Sequence, residues 1–139
     1  GGHVYVFPKV ALRDRTQLSP KLAIEYQKLS MVVGEALKSA MARRGVDIGI
    51  VNYQDMGNWG VYKPKGPTLH MQIYGRATTA TIQKYGDAVQ LPHRETGFYN
   101  NFSPLDYDDV AEIRKDIEAL LQSDKYGQPW SEQVSRFIL

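Results

Sequence analysis

Three histidines are the residues best suited to chemistry in this chain: His3, His70 and His93. His70 lies in Thr68-Leu69-His70-Met71-Gln72-Ile73-Tyr74. A strand's period of two puts Thr68, His70, Gln72 and Tyr74 on one face and Leu69, Met71 and Ile73 on the other. The apolar side suits a core, which leaves a row of hydrogen-bonding groups facing outward. That row either binds a polar ligand or forms a passive polar sheet face. Other chemistries find little support. No Ser-His-Asp signature is visible, and His70 has no histidine two or four residues away to share a metal. Gly57-Asn58-Trp59-Gly60 is not a phosphate loop, because no Gly-Lys-Ser/Thr follows. The chain has no cysteine, which excludes thiol catalysis and cysteine-based zinc sites. We expect no metal and no cofactor.

Charge adds a direction. The net charge is only +2, too small to argue for nucleic acid, and we expect none as a partner. Its distribution is uneven. Residues 1–66 carry ten Lys/Arg against five Asp/Glu, and residues 67–139 carry seven against ten. Lys9, Arg13, Arg15, Lys63 and Lys65 fall in turn-like segments of the basic half. They are either a solvated surface or a partner for a small anionic ligand.

The elements that must position these residues follow from pattern. His3 to Pro8 reads as a strand, β-branched and aromatic, stopped by proline. Ser19-Pro20 is a helix start, and Leu22, Tyr26, Leu29, Val33, Leu37 and Met41 form one apolar stripe of a long helix over 19–44, ended by Gly45. Residues 46–53 and 68–74 read as strands, joined by a glycine-containing loop that suits antiparallel pairing. Residues 75–105 show no periodicity and read as a long irregular loop. Asp106 and Asp109 form an acidic capping box for a helix with Val110, Ile113, Ile117, Leu120 and Leu121 as its buried stripe. Tyr126-Gly127-Gln128-Pro129 breaks that helix, and the tail from Trp130 to Leu139 reads as a short helix or a docking arm. The expected fold is α+β, an antiparallel sheet with a long helix and a C-terminal helix packed on it. The 139 residues fit a single domain. No apolar run is long enough for a membrane helix and no signal peptide is visible, so we expect a cytoplasmic protein without membrane contact. The start at Gly1-Gly2 without methionine suggests a processed product or a fragment.

The order of elements resembles the histidine-triad (HIT) superfamily. Gly2-His3-Val4-Tyr5-Val6-Phe7-Pro8-Lys9 is similar to that family's Gly-His strand. Leu18-Ser19-Pro20 matches its helix start, and Asn52 matches the asparagine near the end of the next strand. A bacterial HIT-like subgroup is similar in Tyr74-Gly75-Arg76-Ala77 and Thr96-Gly97-Phe98-Tyr99. The alignment places Thr68, His70 and Gln72 at the three triad positions. The middle histidine is kept, and the flanking ones are replaced. The sequence begins at this strand, and the segment that usually precedes it in the family is expected to be absent, rearranged or removed.

The resemblance implies nucleotidyl transfer. The middle imidazole attacks a phosphorus in line and forms a nucleotidyl-histidine, which water or another acceptor resolves. A neutral imidazole is a competent nucleophile near pH 7. Gln72 and Thr68 can donate to phosphate oxygens, but neither can protonate a leaving group as a histidinium could. Asn52, Arg76 and Trp59 are candidate substrate-binding residues: Asn52 for phosphate or sugar, Arg76 for bidentate phosphate contact, Trp59 for stacking. Each also has a plainer role, as a turn asparagine, a rim ion pair and a packing tryptophan. His3 is expected to orient a strand end, and His93 to lie at the surface. The expected partner is a nucleotide or phosphate conjugate, acted on as a hydrolase or transferase. The alternative is a nucleotide- or phosphate-binding module without turnover. The family commonly forms two-fold dimers, so a homodimer is expected.

Overall fold

A computed structural model describes residues 1–130. It is an α+β fold built on a three-stranded antiparallel sheet: β1 (Gly2–Val6), β2 (Ile48–Gln54) and β3 (Met71–Ala77), in the order β1-β3-β2. The long helix α1 (Pro20–Arg43) crosses one face, α2 (Tyr107–Leu121) lies alongside α1, and the single turn α3 (Asp124–Gly127) follows. The tail 131–139 is outside the described residues, and with it most of the expected docking arm.

Local chemistry sets the helix ends. Ser19 accepts from Leu22 N and Pro20 opens α1, both as expected. Gly45, at φ +81°, takes the left-handed conformation that stops the helix at little steric cost. Asp106 and Asp109 form the reciprocal capping box of α2. The two helices run antiparallel, stapled by Arg43 to Glu112 and Asp116 and by Arg44 to Asp106 and Asp109.

The core lies between α1 and the sheet. Val33, Ala36, Leu37, Ala40 and Met41 of α1 meet Val6, Ile48, Met71 and Ile73 of the strands, and Ile113 of α2 joins them. From Tyr26 to Met41 the apolar stripe of α1 is therefore as read from its spacing, while Leu22, expected to begin it, lies outside the core. The stripe of α2 is narrower: Ile113 is buried, Ile117 and Leu120 pack partly, and Leu121 remains 40% exposed.

The third strand differs in its bounds from the expected 68–74. It begins at Met71 because Leu69 N donates 2.7 Å to the Leu12 carbonyl, leaving 68–70 as an extended lead-in outside the ladder. It continues through Gly75-Arg76-Ala77, where Ala77 pairs with Ile48. The second strand likewise begins two residues later than expected and ends at Gln54, so Asn52 sits within it, opposite Tyr74. A register shift between Ile48 and Ile50 marks a bulge at Gly49. The bulge turns buried Ile48 inward and half-exposed Ile50 outward.

Candidate functional site

The side chains of interest share the sheet face turned away from α1. The register puts His3 opposite Tyr74, Tyr5 opposite Gln72, and Asn52 and Gln54 opposite Tyr74 and Gln72. Because strand residues alternate between faces, His3, Tyr5, Gln72, Tyr74, Arg76, Asn52 and Gln54 belong to one surface. Ring contacts among Tyr5, Phe7 and His70 bring Phe7 and His70 to the same surface just beyond the strand ends. The polar row read from the sequence is therefore one column of a wider arrangement.

His70 ends the lead-in to β3 and is half-buried. Its Nδ1 lies 2.7 Å from the carbonyl oxygen of Thr68. A carbonyl oxygen can only accept, so Nδ1–H is the donor, and in the neutral ring Nε2 keeps its lone pair. Thr68 thus acts through its backbone, and its side chain is exposed. His70 lines a cavity of about 60 Å³ together with Arg13, Asp14, Asp55, Met56, Gly57, Thr68 and Leu69. By that volume the space holds a few water molecules, at roughly 10–15 Å³ each. Asp55 is neutralised by an ion pair with Arg15, and Asp14 caps the turn at Arg15–Gln17 by accepting from Thr16 N. The Arg13 guanidinium lies against Gly66. The glycines of the 54–66 loop let it close on this region: a Cβ at Gly60 would collide with the backbone of Gly66 and Pro67.

Gln72 sits one step along the face from His70. Its Oε1 accepts from the Tyr74 hydroxyl at 2.5 Å. Burial pushes the Tyr74 phenol up to about 12, so it stays protonated as that donor. Gln54 faces Gln72 across the β2–β3 pair, and its buried Oε1 has no partner among the described residues. His3 stacks on Tyr74 at 4.2 Å between ring centroids. Desolvation pushes the His3 imidazole down to about 4; contact with Gln72 opposes this, and nearby His70 adds to it. His3 is therefore neutral at pH 7.

Asn52 and Arg76 are brought together, but away from the His70 cavity. Arg76 is 6% exposed. Its Nη1 donates to Asn52 Oδ1 at 3.0 Å, and its Nη2 donates to the carbonyls of Lys84 and Asp87, each at 2.8 Å. The guanidinium expected to clamp phosphate is thus already engaged with protein oxygens, pinning the 78–105 loop to the sheet. Trp59 is half-exposed and stacks on His93, 5.5 Å apart with 13° between ring planes. The pair ties the 54–66 loop to the long loop.

Sequence reasoning missed two partners of His70. Arg13 appeared only as part of a basic segment, and it shares the cavity wall with His70 because the 7–19 and 54–70 connections emerge at the same end of the sheet. The ring column of β1 was also missed. Tyr5 and Phe7 both lie 5.6 Å from the His70 ring. The signal was the alternation of His3, Tyr5 and Phe7, which reads as a strand face only once the β1–β3 register is known. A second cavity, about 250 Å³ between α1 and α2, is lined by Glu35, Ser39, Asp116, Ala119 and Leu120 and contains none of the residues above.

Compared with known proteins, the chain matches no family model, no curated protein and no solved structure. Among the described residues no helix is long and apolar enough to cross a membrane, and no group of three or more His, Cys, Asp or Glu could hold a metal ion.

Proposed function

We propose that the chain is a histidine-triad-like domain that binds a nucleotide or phosphate conjugate over His70 and uses His70 Nε2 as nucleophile in nucleotidyl transfer. The observation that carries the reading is the 2.7 Å contact between Nδ1 and the Thr68 carbonyl. It fixes the tautomer that leaves Nε2 with a lone pair, in a side chain sharing a cavity with Arg13. Nε2 attacks the phosphorus as the bond to the leaving group breaks, and water then attacks the same phosphorus, releasing the nucleotide and restoring the imidazole. Arg13 is placed to donate to phosphoryl oxygens, and the amide nitrogen of Gln72 is a second donor for developing charge. The cavity admits phosphate oxygens but no nucleoside, so base and sugar lie outside it. The two-fold dimer is part of this proposal, with β1 and β2 as the edges of the described sheet.

One observation favours the second reading, binding without turnover. Among the described residues no group near His70 is set up to protonate a leaving group. The Gln72 oxygen is an acceptor for Tyr74, and His3, pushed down to about 4 by desolvation, is the neutral imidazole at pH 7 and not the acidic imidazolium. Hydrolysis of an adenosine phosphoramidate separates the two readings. The first predicts turnover that His70→Ala lowers by up to ~10⁶-fold with little change in melting temperature. It also predicts a gain with Gln72→His, since a positioned general acid contributes ~10² to 10⁴. Nucleotide binding with no turnover establishes the second. His70→Ala with full activity refutes the nucleophile.

A further inference from the structure

The sheet face turned away from α1 is open on its β1 side, and there it carries a continuous column of rings that a nucleophilic histidine does not need. His3 lies 4.4 Å from Tyr5, Tyr5 lies 5.9 Å from Phe7, and both Tyr5 and Phe7 reach the His70 ring. Tyr5 is 46% and Phe7 57% exposed. Large rings left in water on adjacent positions of one strand face are a costly arrangement for a surface with no partner. From His3 to Phe7 the column runs roughly 13 Å at ~3.3 Å per residue, longer than one nucleobase. Trp59, half-exposed and two residues beyond the cavity wall at Gly57, adds another ring at the same end of the sheet.

Cations gather at that end. Lys9 follows Phe7 by two residues, Arg13 lines the His70 cavity, and Gly66, which the Arg13 guanidinium touches, follows Lys63 and Lys65 in the loop. Two carboxylates share this region: Asp55 is paired with Arg15, and Asp14, held below the usual carboxylate range by its hydrogen bonds from Thr16, keeps its charge, so Lys9, Arg13, Arg15, Lys63 and Lys65 outnumber them. The overall charge of +2 hides this local excess because the balancing acids lie in the second half of the chain, several of them on α2.

We propose that the column His3–Tyr5–Phe7–His70 is a stacking platform for single-stranded nucleic acid, with the backbone running along Lys9, Arg13, Lys63 and Lys65. Every base has a π-face, so such a surface holds a strand without reading its sequence, and the cations supply the phosphate contacts. The inference does not depend on turnover at His70, and a chain inactive on every nucleotide conjugate still meets it.

The test is fluorescence anisotropy with a labelled oligouridylate of about ten residues, compared with labelled uridine monophosphate, at ~50 and ~200 mM KCl. The oligomer is expected to bind more tightly than the monomer and to weaken with salt. Tyr5→Ala and Phe7→Ala should each weaken oligomer binding by about 5- to 150-fold, the range of losing one base–ring stack, while Phe7→Trp keeps it. Both rings are at the surface, so melting temperatures should hold. If the alanine variants fail to fold, ultraviolet crosslinking of the wild type to a 4-thiouridine oligomer replaces them, with crosslinks expected within residues 3–7. Equal affinity for monomer and oligomer overturns the proposal, as do alanine variants within twofold of wild type or crosslinks confined to other segments. So does light scattering in which Tyr5→Ala converts a dimer to a monomer, because the rings would then serve a second copy of the chain.

Discussion

Replacing Arg76 by methionine tests whether that guanidinium holds the long loop or waits for a ligand. Arg76 makes three donor contacts, to Asn52 Oδ1 and to the carbonyls of Lys84 and Asp87, and it is 6% exposed. Methionine keeps the buried stem and removes every donor. A buried acceptor left bare costs ~1–3 kcal/mol. Lys84 and Asp87 are exposed residues, so their carbonyls can turn to water once the loop lifts, and the full sum does not apply. The guanidinium also returns part of its own desolvation when removed, since its three acceptors are neutral oxygens and its Nε has no partner among the described residues. The net expectation is a loss of ~2–3 kcal/mol. At roughly 4 °C per kcal/mol for a domain of this size, the melting temperature falls by ~8–12 °C. The loop freed from the sheet can extend into a protease's cleft, so trypsin should cut after the already exposed Lys84 faster in Arg76→Met. Arg76→Lys, with a single point charge, should recover only part of both effects. A melting temperature within 2 °C or so of wild type, with unchanged cleavage after Lys84, would refute the pinning role and restore Arg76 as a free phosphate ligand.

Two further predictions follow from other elements. Asp106→Ala removes the acceptor of Asp109 N and one of the two carboxylates paired with Arg44, so thermal melting should show a loss of ~1–2 kcal/mol, most of it recovered by Asp106→Ser. His3 is pushed down to about 4 by desolvation, below the ~6.5 of a free imidazole. The unfolded chain therefore takes up this proton first as the pH falls. Stability from this group is complete above about pH 6.5, declines towards pH 4 and is lost below it. Because His3 keeps part of its surface in water, the expected effect is only ~1 kcal/mol. Denaturant titrations at pH 7 and pH 4.5 should show His3→Gln losing less stability on acidification than wild type; equal losses would contradict the assignment.

Patterned segments gave up their structure readily. The α1 stripe from Tyr26 to Met41 and the two caps at Ser19 and Asp106 are local signals, and local signals survive without tertiary context. The parity of β3 was also legible, since Leu69, Met71 and Ile73 can alternate inward in only one way. Its bounds were not. Gly75-Arg76 looks like a strand end, and only the pairing of Ala77 with Ile48 extends the ladder past it. Arg76 reads as a surface cation because nothing local announces that Asn52 and two loop carbonyls, distant in sequence, will surround it. Tyr126 likewise sits in a segment marked by Gly127 and Pro129 as a break, yet it is 1% exposed with its hydroxyl on Glu35. At the site, His70 and Gln72 could be singled out from their alternation. Arg13, Tyr5 and Phe7 could not, because their nearness to His70 depends on the β1–β3 register and on where two connections leave the sheet.

The central proposal, that His70 Nε2 is a nucleophile, makes a covalent prediction. Wild-type protein mixed with an adenosine phosphoramidate and quenched in alkali, where a phosphohistidine-type bond survives, should carry one adenylyl group by intact-mass spectrometry. The peptide bearing it should contain His70, and the adduct should be absent from His70→Ala and accumulate when the water-dependent step is slowed. Turnover without an adduct, or an adduct on His3 or His93, would contradict the account.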